Sequence, residues 1–387
     1  MNALGLDLDK VYNRIRISHQ FTLVQKTKME PPKPKLTWKT ALFPLLGLIG
    51  FFLYIYLFKV DILGIIATAQ SANPIIYSIA ILFGLVEVLL FTISWHVLTN
   101  HLFIKMTLIR AYLYVWYGIY VDIIIPAESI SGELTRTYLL TRDQCGSFGR
   151  IVASLFTHRL LGMTINVVAL ILGIALLYIE GQVSTIVFNL IIFIATAITA
   201  IIALMIFLSF KQQWSMKIIE WATRFAHTIS KGKWKLAKFK EQAVEITEHF
   251  HDSMKEYRHN PKALAYSLFY LILSWIFSLS IPYLVFQSLG HPVSWSIILI
   301  TSAIVLAVKS IPIGIPFEVG LPEAAMTTLY ISMGVPAALS ATATILTRII
   351  TLWFRFFIGF AAQQWIELKP VICTEANTEK TKINPPP

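Results

Sequence analysis

From Ser184 to Phe210 the chain reads STIVFNLIIFIATAITAIIALMIFLSF, without one charged side chain. A second run, SLFYLILSWIFSLSIPYLVFQSLG, follows Lys262 and its neighbours and meets no charge before His291. A helix needs about 20 apolar residues to cross a bilayer core, and both runs exceed that. Runs this long and this free of charge exclude a soluble globular fold. Across the 387 residues the same bias holds, with 56% apolar and 14% charged side chains, against roughly a quarter charged in ordinary soluble domains. The fold class expected is an all-α polytopic membrane protein.

The formal net charge of +11 would suit a nucleic-acid binder, but the cations lie between the apolar runs. That is the pattern of cytoplasmic loops facing anionic headgroups, so no nucleic acid is expected as a partner. The sequence divides into a basic tail over 1–40, a first membrane half over 41–210, a basic amphipathic linker over 211–260, a second half over 261–366 and a C-terminal tail over 367–387. Spans are expected at 41–58, 74–98, 151–179, 184–210, 263–288 and 336–366, about six in all. Two pieces, 104–140 and 293–334, fit no simple span. With no apolar stretch near Met1, a cleaved signal peptide is not expected.

Lysines and arginines number eight in 1–40, ten in 211–260 and three in the C-terminal tail, against one in 59–73 and none in 289–293. Positive charge favours the inner side, which places both termini and the linker in the cytoplasm of a cell membrane. Cys145 and Cys373 then lie on the reducing side, so no disulfide is expected. With six full crossings, 104–140 and 293–334 each have to enter and leave on one face, as re-entrant hairpins of opposite orientation. Non-helical backbone at that depth is tolerated only where it lines a protein-walled or watery cavity.

The two pieces repeat one pattern. The first has Pro126, then Gly132-Glu133, then Arg159 in the next span. The second has Lys309, Pro312, Pro316, Gly320 and Glu323, then Arg348 in the last span. Glu133 to Arg159 is 26 residues and Glu323 to Arg348 is 25. Inverted repeats whose broken helices meet near the midplane are how many transporters build a substrate site.

Ionisable groups within a bilayer are costly, a few kcal/mol each even on lenient scales, and persist where they meet partners or a cavity. Arg136, Arg159, Lys309 and Arg348 are the candidates for holding a lipid phosphate, since a guanidinium fork matches phosphate oxygens. Glu133 and Glu323 would orient those cations or balance them in the empty site. The plainer alternative is a set of structural ion pairs. Pro126, Gly132, Pro312, Pro316 and Gly320 read as turn chemistry, and Arg355 as a side chain snorkelling toward headgroups near Trp365. No GxSxG, HExxH or Walker motif occurs, so an enzyme is not expected, nor a metal or other cofactor. Glu245, Glu248, His249 and Asp252 share a helical face, which in a lysine-rich loop reads as solvated rather than metal-binding.

Pro126, Gly132-Glu133, Arg136 and Tyr138-Leu139-Leu140, then Arg159-Leu160, together with Pro316, Gly320, Glu323 and Arg348, resemble the signatures of the lysylphosphatidylglycerol synthase transmembrane-region family, also called flippase-like or UPF0104. Phe317, Glu318 and Pro322 depart from its pattern and make the second turn bulkier and more acidic. The resemblance covers about 40–366. It implies a translocase moving a phosphate-bearing phospholipid or polyprenyl-linked lipid between leaflets. The alternative it leaves is the membrane module of a lipid aminoacyl- or glycosyl-transferase whose catalytic domain is a separate chain. Membrane lipids are the partners expected; a transferase or a second copy of this chain stand beside them.

Overall fold

A computed structural model describes residues 62–125, 130–180, 185–229, 237–309 and 320–368, and every regular element among them is helical. The expected first span, the N-terminal tail, Pro126, Pro312, Pro316, Glu318 and most of the C-terminal tail lie outside the described residues, as does the side chain of Lys309. Among the described residues, four helices are long and apolar enough to cross a bilayer: Pro74–His101, Phe148–Gly173, Pro261–Ser288 and Ala337–Leu368. They correspond to four of the expected spans. Ala195–Ser209 with Gln212–Trp221 is a fifth candidate, bent by 96°.

In chain order the helices are α1 (Ile62–Gln70), α2 (Pro74–His101), α3 (Leu108–Ile124), α4 (Ile130–Arg142), α5 (Phe148–Glu180), α6 (Thr185–Phe210) and α7 (Gln212–Ile229). They continue with α8 (Ala237–His259), α9 (Pro261–Ser288), α10 (Trp295–Lys309), α11 (Leu321–Ser332), α12 (Ala337–Arg348), a π-helical segment (Ile349–Phe354) and α13 (Arg355–Leu368). Short helix α1 falls where the sequence reading had only a connecting loop, and it packs on α12.

The centre of the fold is the pair α2 and α9. Asn73 starts α2, its side-chain oxygen accepting from the Ile75 and Ile76 amides at 2.9 and 3.3 Å, with Pro74 in the first turn where its missing N–H leaves no gap. The Asn73 amide donates to the Ser288 carbonyl at 2.7 Å, at the far end of α9. Further along, the Ser274 hydroxyl donates to the Glu87 carbonyl (3.0 Å) and the Ser94 and Ser267 hydroxyls meet at 2.8 Å. These ties advance along α2 as they retreat along α9, so the two helices run antiparallel. Small residues at the contact let the backbones approach, and their hydroxyls bond across it.

Each half sends its next element onto the other. The sequence segment 104–140 folds as α3 and α4 packed on each other, and 293–334 as α10 and α11. Helix α3 leans on α13, which follows the second pair, and α10 leans on α5, which follows the first. Helices α3, α4, α10 and α11 have 17, 13, 15 and 12 residues, so even the longest reaches only about 25 Å. The two largest cores among the described residues lie around Trp95, Tyr114, Trp116 and Tyr257, and around Ile281, Phe286, Ile298 and Tyr330.

The first hairpin is closed by a glycine contact. A Cβ on Gly132 would sit 2.2 Å from Asp122 Oδ2 and 2.8 Å from the Gly118 carbonyl oxygen. Asp122 Oδ1 accepts from the Ser131 hydroxyl at 2.5 Å and the Gly132 amide at 2.7 Å, satisfying the start of α4. Gly132→Ala is therefore expected to lower stability by about 1–3 kcal/mol through overpacking. Gly162→Ala, where a Cβ meets nothing within 4 Å, should leave it unchanged or raise it by up to about 1 kcal/mol. Melting curves of the two variants check the contrast.

The linker 211–260 folds as α7 and α8, and α8 is docked rather than free: it packs on α5, with Met254 and Tyr257 buried and the Tyr257 hydroxyl donating to the Leu98 carbonyl at 3.0 Å. Its outer face is the solvated one expected, with Glu245, His249 and Asp252 exposed. His251, on the inner face, is buried and bonded through Nδ1 to the Ser209 carbonyl at 2.8 Å. Burial holds its imidazole below the usual value, with the Lys255 charge adding to this and the Ser209 bond and Asp252 opposing it. A group harder to protonate when folded contributes stability above its unfolded pKa of about 6.5 and loses it as pH falls below that. Melting temperature should thus fall between pH 7 and 5, and fall less in His251→Asn.

The expectation of no disulfide fails: Cys145 is disulfide-bonded. Charge patterning reads the side of the membrane, not which thiols the fold brings together.

Candidate functional site

Both Glu–Arg combinations suggested by the repeat are formed. Arg159 Nη1 lies 3.1 Å from Glu133 Oε2, and Arg348 Nε lies 2.5 Å from Glu323 Oε1. Glu133 is in the first turn of α4 and Glu323 in the first turn of α11, where a carboxylate also meets the exposed amides of the helix start. Glu323 Oε2 does so directly, accepting from the Gly320 amide at 2.7 Å. Gly320 has φ 102, a conformation that side-chain-bearing residues rarely adopt. Each arginine sits twelve residues into the helix after its hairpin, Arg159 in α5 and Arg348 at the end of α12.

The two pairs differ in surroundings. Side-chain exposure is 22% and 21% for Arg159 and Glu133 but 8% and 3% for Arg348 and Glu323. Beside the first pair lies Arg136, buried, its guanidinium 4.9 Å from the Trp95 ring centre and 5.7 Å from that of Phe91. Stacking on aromatic faces supports a buried cation without a carboxylate contact. Its Nη1, and Nε2 of the neighbouring His158, have no hydrogen-bond partner among the described residues.

Arg355 does not snorkel. Its Nη2 donates to Glu87 Oε2 at 2.6 Å, tying α13 to α2. The expectation failed because a lone arginine near a helix end looks free when its partner is 268 residues away. Arg348 and Arg355 flank the π-helical segment, a feature frequent at functional sites, and both line a cavity of about 220 Å³. The rest of its wall comes from Ser278 and Pro282 of α9, Thr301 and Ser302 of α10, Pro322 and Met326 of α11, with Thr347 and Thr351. Pro282 lies inside α9 and has no N–H to give the Ser278 carbonyl one turn back. The hydroxyls and Arg355 were missed as site residues. Threonines inside apolar runs carry no sequence signal, whereas Arg355 shares a helical face with Arg348, seven residues earlier, and that spacing was readable.

Of the residues singled out from sequence, then, Glu133, Arg136 and Arg159 gather around α4 and α5, and Glu323 and Arg348 around α11 and α12. Gly320 has the positive φ just before α11, whereas Gly132, read as a turn residue, lies within the first turn of α4 and packs against Gly118 and Asp122.

Long apolar helices, two helical hairpins and ion pairs held among them define an integral, multi-pass, all-α membrane protein. The sequence profile of the lysylphosphatidylglycerol synthase TM region matches residues 41–359, and the chain belongs to that family. It is similar to a UPF0104 membrane protein of Pyrococcus horikoshii, 24% identical over 286 residues, covering 73% of this chain and 84% of the relative. A UPF0104 membrane protein of Methanothermobacter thermautotrophicus is 23% identical over 299 residues, covering 76% and 86%.

Proposed function

We propose that this protein is a lipid translocase of the cell membrane, moving a phosphate-bearing lipid between leaflets without altering it. In this reading α3–α4 and α10–α11 are re-entrant hairpins entering from opposite faces, and both termini are cytoplasmic. The headgroup leaves one leaflet, exchanges into the Glu–Arg pairs, and passes while its tails stay in lipid. The observation that carries the proposal is the pair of Glu–Arg contacts at equivalent places in the two halves, each beside a helix start. Charges within a bilayer are retained mainly where they serve a pathway or one another. Membership of a family named for a lipid synthase's membrane region agrees with a lipid role. The antiparallel α2 and α9 agree with halves of opposite orientation.

The test uses liposomes holding the purified chain and a fluorescent anionic phospholipid, with an impermeant quencher added outside. Protein-free vesicles lose about half their signal, the outer leaflet alone; with the protein, loss should run well past half. Arg159→Ala should slow that second phase by at least tenfold, the effect of about 1.4 kcal/mol on a barrier. Quenching that stops at half with the wild-type chain present would reject the proposal.

A further inference from the structure

We infer that the headgroup, on its way past the two pairs, is bound at the second one, in the cavity between Arg348 and Arg355, and that this cavity takes a compact headgroup with a single phosphate. The inference rests on the translocase reading for its direction, but the site is argued from its own wall.

Among its lining groups, Thr301 and Thr347 are 1% and 4% exposed, and neither hydroxyl has a hydrogen-bond partner among the described residues. A buried polar group left unpaired costs about 1–3 kcal/mol. Here two such groups, from α10 and α12, line one space together with two guanidinium groups. An anionic oxygen cluster entering that space would give each hydroxyl an acceptor and each guanidinium a further one.

Size and charge then narrow the ligand. A cavity of about 150 Å³ holds benzene, while drug-sized ligands occupy about 300–1,000 Å³. At about 220 Å³ this one matches a phosphate with a short alcohol more closely than a sugar diphosphate. Both arginines are already met by carboxylates, Arg348 by Glu323 and Arg355 by Glu87. A phosphodiester adds one negative charge to that balanced set, a diphosphate at least two, and each further buried charge is heavily penalised. The serine and threonine hydroxyls along the wall suit the alcohol part of the headgroup. Around the first pair, by contrast, Arg136 is spent on aromatic rings and the Glu133–Arg159 contact is more open.

The probes are glycerol methyl phosphate, a phosphodiester with one negative charge, and uridine diphosphate glucose, added to the full chain in detergent. At millimolar concentration the phosphodiester should raise the melting temperature, since a ligand that binds only the folded state stabilises it, and uridine diphosphate glucose should not. The double variant Thr301→Val/Thr347→Val removes two orphaned hydroxyls, so it should melt no lower than wild type yet need at least about tenfold more of the phosphodiester for the same shift. Thr301→Ser, which keeps a hydroxyl, should respond as wild type and serves if the double variant does not fold. An equal response in the valine variant, equal protection by uridine diphosphate glucose, or no protection by either probe would overturn the inference. The same preparations go into the liposome assay. Protection without translocation sinks the translocase reading and leaves this site; translocation with unselective or absent protection does the reverse.

Discussion

Arg348→Ala should lower the stability of the folded chain by roughly 3–5 kcal/mol, and adding Glu323→Ala to it should restore most of the loss. The reason is the asymmetry of buried ion pairs. Glu323 is 3% exposed, and without Arg348 its charge would face a low-dielectric interior. Removing both partners removes the stranded charge. Recovery should fall short by about 1 kcal/mol, since Glu323 also accepts from the Gly320 amide at 2.7 Å and closes the start of α11. A double-mutant cycle on melting in detergent measures the coupling. If the two single losses simply add, the contact does not hold α11 to α12.

Asp143→Ala should be comparably damaging, about 3–5 kcal/mol, for a different reason. Asp143 is 3% exposed and accepts from Arg110 Nη2 at 2.8 Å, from Arg142 Nε at 2.9 Å and from the Tyr114 hydroxyl. Arg142 in turn reaches Glu367 at 3.1 Å. One carboxylate thus binds the start of α3 to the end of α4 and, through Arg142, to α13. Asp143→Asn keeps part of this hydrogen bonding and should lose less. Both variants sit away from the cavity, so translocation per folded molecule should persist while the melting temperature drops. Translocation that fails at unchanged stability would mean that this cluster takes part in transport.

These two clusters also show how far the sequence could be read. Glu323 and Arg348 stood out because the first half repeats them as Glu133 and Arg159, and charge in an apolar helix is rare enough to notice. Asp143, Arg110 and Arg142 did not, because charges at the ends of apolar runs look like ordinary headgroup-facing residues. Only the folded contact tells a buried carboxylate from a solvated one. Spans at Pro74–His101 and Pro261–Ser288 were legible from length and hydropathy. The antiparallel packing of α2 on α9 was not, since serines such as Ser94 and Ser267 look alike whether they face lipid or a neighbouring helix. Nor was α8 legible as docked: charged residues dominated its composition and hid Met254 and Tyr257.

The central claim is that a lipid headgroup passes the Glu–Arg pairs on its way between leaflets. The most direct measurement is quencher-accessible lipid in liposomes carrying Glu323→Ala/Arg348→Ala, matched to wild type for folded protein. The account predicts a folded chain whose quenching halts near half, as in empty vesicles. Quenching at the wild-type rate by that double variant would contradict it, and would leave the pairs as scaffolding alone.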